Sequence, residues 1–202
     1  MISNLFFYGP IGAGKSTLIR DALLPHLDKA GGFYVQRIIT DGRCSAFRLC
    51  KTEDAASYIL EKEVESQAGL DSLFLKSNID QQWQFDPRVF ETAGVDCIQQ
   101  SLQRGKKLLV MDELGGVELQ CPVFMETVRQ VLQSPTPVIG VLKAPKNARV
   151  LANCLPEGGV LDDNSIFADY LKNLQNTELY PVEPAGRGPA AARAALFIKG
   201  AL

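Results

Sequence analysis

The sequence has little histidine and no long apolar run. Its 202 residues include one histidine, His26, which lies in the far part of the first predicted helix and is interpreted as a surface or satisfied residue rather than a base. No apolar run approaches the roughly 18 residues that a membrane span needs. The short run Leu5–Tyr8 lacks a preceding basic stretch, so we expect neither secretion nor membrane insertion.

Paired cysteines and an excess of basic charge are also absent. The five cysteines are odd in number and scattered, with no C-x-x-C pair, which favours reduced thiols in the cytoplasm. A net charge of −2 and a pI near 5.5 give no reason to expect nucleic acid or an anionic membrane as the main partner, although a local basic groove is not excluded. The length is that of one domain, and we expect a monomer.

The first quarter of the chain predicts a strand, a glycine loop and a helix in that order. Ile2–Tyr8 is rich in β-branched and aromatic residues and stops at Gly9, as a buried strand does at a loop. A helix is predicted from Lys15 to about Lys29, kinked or shortened by Pro25 and closed by Gly31-Gly32.

A hairpin is predicted next. Phe33–Ile39 and Cys44–Cys50 read as two antiparallel strands, because Asp41-Gly42 readily takes the positive φ angles of a tight turn. Residues 51–85 are weakly periodic, and we assign only a possible short strand at Tyr58–Leu60.

The remaining chain alternates strands with helices, which predicts an α/β fold with a mostly parallel sheet between two helical layers and the hairpin inserted. The predicted elements are a helix from Asp86-Pro87 to Arg104, a strand at Leu108–Met111, a helix at Val123–Gln133, a strand at Val138–Leu142 and a helix from Asp162 or Asp163 to Leu174.

We divide the chain into one domain over residues 1–180 and a tail over residues 181–202. After Pro181 the composition shifts to proline, glycine and alanine, which is typical of a linker. Ala190–Lys199 is predicted to form a short helix, interpreted as a weakly docked terminus or as an element that binds a protein partner.

The most specific motif lies between the first strand and helix. Gly9–Ser16 reads GPIGAGKS and matches G-x-x-x-x-G-K-[ST], the loop that wraps the phosphates of a nucleotide. Its glycines permit backbone angles that turn successive N–H groups toward one anion at the start of the helix. We therefore expect nucleotide contacts from Gly9, Pro10, Ile11, Gly12, Ala13, Gly14, Lys15, Ser16 and Thr17.

Three side chains of this loop have distinct expected roles. Lys15 is predicted to act in catalysis by reaching the β- and γ-phosphates, and Ser16 is predicted to ligate Mg²⁺. Thr17 is expected to hold the α-phosphate. The alternative is a glycine-rich turn with a solvated lysine.

Two acids follow the strand at Leu108–Met111, at the end where α/β sheets bind ligands. Asp112 is the expected second metal residue, and Glu113 is the expected base or water-orienting group for hydrolysis. The alternative is a pair of solvated charges at a strand end.

Asp112–Leu119, read together with the phosphate loop, resembles the cancer-related nucleoside-triphosphatases, in which this segment typically reads Asp-Glu-Ile-Gly-x-Met-Glu-Leu. The resemblance spans about residues 1–175. The resemblance implies a compact P-loop fold. It also implies hydrolysis of several nucleoside triphosphates, ATP or GTP among them, to diphosphates. Glu118 repeats an acidic position of the family, either as a loop-stabilising acceptor or as a catalytic group.

The chain departs from the family pattern at two places. Gln36-Arg37 stands where an acidic pair is usual, and Ser165 stands where an arginine is common. Arg37 and Lys143 are candidates to replace the missing charge, while Trp83 and Phe85 are candidates to stack on a base.

Two other functions remain open. The loop also resembles that of nucleoside and nucleotide kinases, although arginines are sparse where a kinase lid belongs. A nucleotide-binding switch with weak hydrolysis is the third reading. No Asn-Lys-x-Asp motif is present, so base preference is undetermined.

Overall fold

The first strand of the chain lies between two strands that come much later in the sequence. In the computed structural model, which describes residues 2–52, 58–78, 82–143, 163–183 and 186–202, β1 (Asn4–Tyr8) pairs in parallel with β8 (Val138–Leu142) and with β9 (Thr177–Pro181). The end of β1 therefore lies beside the ends of both neighbours.

The described residues contribute nine strands to one mixed sheet. The other six are β2 (Ala30–Thr40), β3 (Arg43–Lys51), β4 (Glu61–Glu63), β5 (Leu73–Ser77), β6 (Trp83–Phe85) and β7 (Leu108–Leu114). Their order in the sheet is β6-β5-β3-β2-β7-β8-β1-β9, with β4 paired to β2. The central strands β2, β7, β8, β1 and β9 run parallel, and β3, β5 and β6 extend the sheet in antiparallel fashion.

Helices cover both faces of the sheet, because its strand residues alternate between two apolar clusters. Leu5 and Phe7 face α1 (Lys15–Leu23) and α5 (Arg187–Ala201). Phe6 faces the opposite layer, formed by α2 (Val95–Gln103), α3 (Pro122–Leu132) and α4 (Asp163–Asn173). The expected three-layer α/β fold is confirmed.

The inserted hairpin is also confirmed. β2 and β3 pair in antiparallel fashion, and the turn places Asp41 at φ 52° and Gly42 at φ 71°. β4 and the pair β5–β6 widen this part of the sheet.

The end of the first helix differs from the prediction. α1 stops at Leu23 and a 3₁₀ turn follows at Leu24–His26, because Pro25 has no N–H to continue the helix. Gly31 and Gly32 do not close a helix but lie within β2. Gly32 has φ 92°, and a side chain there would collide with the Val110 carbonyl of the adjacent strand, so Gly32 allows close pairing of β2 with β7. A side chain at Gly31 would instead collide with Ser101.

One short strand is displaced from its predicted position, and one predicted helix is irregular. The short strand expected at Tyr58–Leu60 begins three residues later, as β4. The helix after Pro87 and the strand before Asp112 form as expected, although the helix contains a π-helical turn at Phe90–Gly94.

The segment predicted as a tail over residues 181–202 packs on the domain in its described part. Val182 is buried, and α5 buries Ala190, Ala194, Phe197 and Ile198 in the cluster it shares with α1. Small alanine side chains let the two helices approach closely, and this apolar face is therefore used inside the domain.

Gly140→Ala should destabilise the protein by about 2 kcal/mol, the usual range for forcing an atom into a packed core. A Cβ at Gly140 would lie 2.5 Å from the Met111 carbonyl oxygen and 2.6 Å from the Phe6 ring. Urea unfolding measures the change. Gly200→Ala, which has open space around it, is the matched control, and equal stability of the two variants would contradict this account of the packing.

Candidate active site

The phosphate loop joins β1 to α1 and depends on three glycines with positive φ. Gly9, Gly12 and Gly14 have φ angles of 146°, 79° and 82°, a region that residues with a Cβ rarely adopt. Gly14 is the residue before the first turn of α1, so the loop delivers its N–H groups to a helix N-terminus, where anions bind favourably.

Lys15 lies inside this loop. Its Nζ donates to the carbonyl oxygens of Gly9 at 2.9 Å and Pro10 at 2.8 Å, and the residue is only 8% exposed. Burial lowers the pKa of Lys15 from its ordinary value, while the carboxylates of Glu113 and Asp112 act in the opposite direction. The ammonium group therefore lies in the loop with both acids near enough to influence its charge.

Ser16 is hydrogen bonded to the first of these acids. Its Oγ donates to Asp112 Oδ1 at 2.8 Å, which connects the start of α1 to the end of β7. Asp112 is 1% exposed, and its buried Oδ2 has no hydrogen-bond partner among the described residues. Burial, with the nearby Glu113 carboxylate, raises the pKa of Asp112 to about 7, against the opposing effects of Ser16 and Lys15.

Glu113 forms an ion pair with Lys143. The distance from Lys143 Nζ to Glu113 Oε1 is 2.8 Å, with the two side chains 19% and 28% exposed. Burial alone lowers the pKa of Lys143, but the carboxylates of Glu113 and Glu118 outweigh it, and the net pKa is raised. Lys143 follows β8 directly, so the parallel pairing of β7 and β8 brings this ion pair together.

Glu118 stabilises the turn after β7. Its buried carboxylate accepts hydrogen bonds from the backbone N–H groups of Gly115 and of Gly116, the latter at 2.7 Å. Burial raises the pKa of Glu118, with Lys143 and the Gly116 N–H opposing the shift. Of its two expected roles, the loop-stabilising one is the one observed.

Most of the other candidates lie away from the phosphate loop. Arg37 is paired with Glu61 on the surface at 3.2 Å, so only Lys143 of the two proposed cations lies beside Glu113. Trp83 packs on Phe47, and Phe85 packs near Phe90, in β6 at the opposite edge of the sheet from β9.

The structure shows the surroundings of Gln36 and Ser165, which depart from the family pattern. Gln36 is buried and donates from Nε2 to the Ile59 carbonyl at 2.6 Å. The neutral amide therefore has a hydrogen-bond partner in this buried position and places no charge there. Ser165 is exposed on α4. The segment where a kinase lid belongs, with Arg149 near Lys146, lies outside the described residues.

Sequence reasoning missed one cation at the loop. Arg187, the first residue of α5, donates from Nε to the Ala13 carbonyl at 3.0 Å and from Nη2 to the Gly12 carbonyl at 3.4 Å. It is separated from the loop by more than 170 positions, so local spacing gives no signal for it. Its place in a Gly/Pro-rich stretch pointed to a linker instead.

A glycine loop between a strand and a helix, with its serine hydrogen bonded to an acid at the end of a parallel strand, defines a P-loop NTPase. A family model described as NTPase matches residues 4–162. The chain belongs to this family.

Curated relatives cover most of the chain. The cancer-related nucleoside-triphosphatase homolog of Bos taurus is 30% identical over 155 residues, which are 72% of this chain and 78% of the bovine protein. The human cancer-related nucleoside-triphosphatase is 28% identical, with the same shares covered. The nucleoside-triphosphatase THEP1 of Thermotoga sp. strain RQ2 is 26% identical over 69% of this chain and 74% of its own.

Two solved structures share the fold. The solution structure of the human cancer-related nucleoside triphosphatase superposes with a TM-score of 0.65 at 19% identity and covers 98% of both chains. The crystal structure of THEP1 from Aquifex aeolicus gives a TM-score of 0.62 at 18% identity, over 94% of this chain and 95% of that one.

Asp112→Asn should stabilise the nucleotide-free protein, and more so at pH 8 than at pH 5. Because the pKa of Asp112 is about 7 when folded and about 3.9 when unfolded, the cost of its buried charge grows between these two values and is complete above pH 7. Asparagine keeps an oxygen for Ser16 without that cost. Thermal melts in EDTA measure the difference, and a melting-point gain that is the same at both pH values would contradict the prediction.

Proposed function

We propose that this chain hydrolyses a nucleoside triphosphate to the diphosphate and phosphate, with the phosphate loop as the binding site and Glu113 as the group that activates water. Membership of the nucleoside-triphosphatase family makes it a hydrolase of this class. The observation that carries the residue roles is the convergence of Lys15, Asp112 and Glu113 at the ends of β1 and β7, with the Ser16–Asp112 hydrogen bond between them.

Binding uses groups that are already in place. The N–H groups of the loop and the start of α1 favour the β- and γ-phosphates. Lys15 Nζ, which contacts the Gly9 and Pro10 carbonyls, would exchange these neutral acceptors for charged phosphate oxygens, a stronger class of hydrogen bond. Thr17 would contact the α-phosphate.

The family generally uses a divalent metal, and Mg²⁺ is the ion we propose. Ser16 Oγ and the Asp112 carboxylate are the hard oxygen donors that this ion prefers, and Asp112 Oδ2 has no other partner among the described residues. The described part of the chain contains no group of three or more His, Cys, Asp or Glu side chains that could hold a metal, which suits an ion bound mainly by substrate phosphates and water. Such an ion would neutralise charge that develops on the phosphate oxygens.

Glu113 is the proposed proton acceptor in the hydrolysis. A water oxygen forms a bond to the γ-phosphorus while the bond from that phosphorus to the β–γ bridging oxygen breaks, and the diphosphate leaves with this oxygen. The Glu113 carboxylate accepts the proton that the water loses. The Lys143 ammonium group, 2.8 Å from Glu113 Oε1, holds this carboxylate in one orientation.

The substrate class is the nucleoside triphosphates, with ATP and GTP as the first candidates.

Reduced thiols favour the cytoplasm, and the four described cysteines, Cys44, Cys50, Cys97 and Cys121, are all free. Among the described residues, no helix combines the length and the apolar character that crossing a membrane takes.

A screen of phosphate release from the common triphosphates, with and without Mg²⁺, tests the proposal. We expect release that EDTA abolishes and Mg²⁺ restores. With γ-labelled ATP and an added nucleoside, the label should appear on free phosphate. Label on the nucleoside would instead establish phosphoryl transfer, and no turnover of any triphosphate would refute hydrolysis.

Glu113→Gln should lower kcat by at least about 10²-fold, the range for losing a positioned base, while nucleotide binding is retained. Phosphate release and calorimetric titration with ADP measure the two effects. Glu63→Gln, which changes an exposed glutamate on β4, is the matched control. Unchanged turnover in the Glu113 variant would remove Glu113 from the mechanism.

A further inference from the structure

Val182, the residue after β9, contacts the first glycine of the phosphate loop. The Val182 N–H donates to the Tyr8 carbonyl at 2.8 Å, which extends the pairing of β9 with β1 up to the loop. Gly9, at φ 146°, lies so close to the Val182 carbonyl oxygen that a Cβ at this position would collide with it. The start of the loop is therefore fixed by a buried residue of the C-terminal segment.

Arg187 contacts the other end of the same loop. Its guanidinium bonds the Ala13 and Gly12 carbonyls at 3.0 and 3.4 Å and lies against Gly14, where a Cβ would come within 2.6 Å of the Arg187 Cζ atom. The arginine thus covers the backbone just before α1.

These bonds determine where the loop N–H groups point. In a trans peptide the carbonyl and the following N–H point in opposite directions, so holding the Gly12 and Ala13 carbonyls against Arg187 turns the N–H groups of Ala13 and Gly14 away from it. Lys15 bonds a different pair of carbonyls, those of Gly9 and Pro10. The two cations therefore hold separate parts of the loop.

The position of Arg187 is fixed by the packing of its helix. It is the first residue of α5, which packs against α1 through Ala190, Ala194 and Ile198. Because α1 itself begins at the loop, the arginine and the loop are attached to two helices that share one core. Loop geometry is thereby coupled to the docking of α5.

We propose that Val182 and Arg187 together form a clamp on the phosphate loop, and that Arg187 is a positioning residue that sets the affinity for nucleotide. The inference rests on the proposed function for its ligand, and it concerns residues beyond the 4–162 that the family model matches. Because Arg187 acts on the loop rather than on the transferred phosphate, it stabilises bound substrate and transition state equally. Its loss raises Kd and KM and leaves kcat largely unchanged.

Arg187→Ala should weaken the binding of both ATP and ADP, with Mg²⁺ present, by about tenfold or more, which corresponds to about 1.4 kcal/mol. Arg187→Lys should recover part of the affinity, since one ammonium group cannot reproduce the fork of the guanidinium. Arg193→Ala is the matched control: it removes an arginine from the same helix that pairs with Glu178 at 2.5 Å, away from the loop. Calorimetric titration gives Kd, and steady-state phosphate release gives KM and kcat.

Amide hydrogen exchange of the nucleotide-free protein gives a second readout that needs no activity. Peptides covering residues 9–17 should exchange faster in Arg187→Ala than in the wild type or in Arg193→Ala. Unchanged loop exchange or unchanged Kd would overturn the clamp, and a fall in kcat at constant Kd would assign Arg187 to the transition state instead. A wild-type protein that binds no nucleotide would refute the proposed function, while the exchange comparison would still decide whether Arg187 orders the loop.

Discussion

The hydrogen bond from Ser16 to Asp112 is the contact on which the site depends. It joins the first turn of α1 to the end of β7 although β8 lies between β7 and β1, so it forms only if three parallel strands end at the same level. Their register provides this, since Tyr8 lies opposite Leu142 and Asp112 opposite Val141. A slip of β7 by one residue would direct Asp112 to the other face of the sheet.

The site places several charged side chains in or near the core, where burial makes the charged forms unfavourable. Lys15, Asp112 and Glu118 are each less than a tenth exposed, and the Glu113–Lys143 ion pair lies beside them. Burial opposes the charged form of each buried group, and their mutual attraction offsets only part of that cost. Asp112 keeps an oxygen without a partner among the described residues and a raised pKa, as expected where stability is given up at a candidate binding site.

The features that could be predicted from the sequence are those determined by residues close together in the chain. The loop, its flanking strand and helix, the strand before Asp112 and the hairpin at Asp41-Gly42 each carry their signal within a few residues. What sequence reasoning missed depends on distant neighbours: β9 is recognisable only beside β1, and Gly32 is required by the carbonyl of Val110 rather than by a helix end. Arg187 belongs to the same class, because its partners are backbone carbonyls that any sequence would offer.

The place of β1 in the sheet has a consequence for biosynthesis. Both of its neighbours, β8 and β9, lie more than 130 residues downstream, so the nascent amino-terminal strand leaves the ribosome long before either partner is made. Pairing across such separations is slow compared with the formation of local helices. The apolar segment Leu5–Phe7 therefore stays unpaired through most of translation, as a segment that a chaperone can bind.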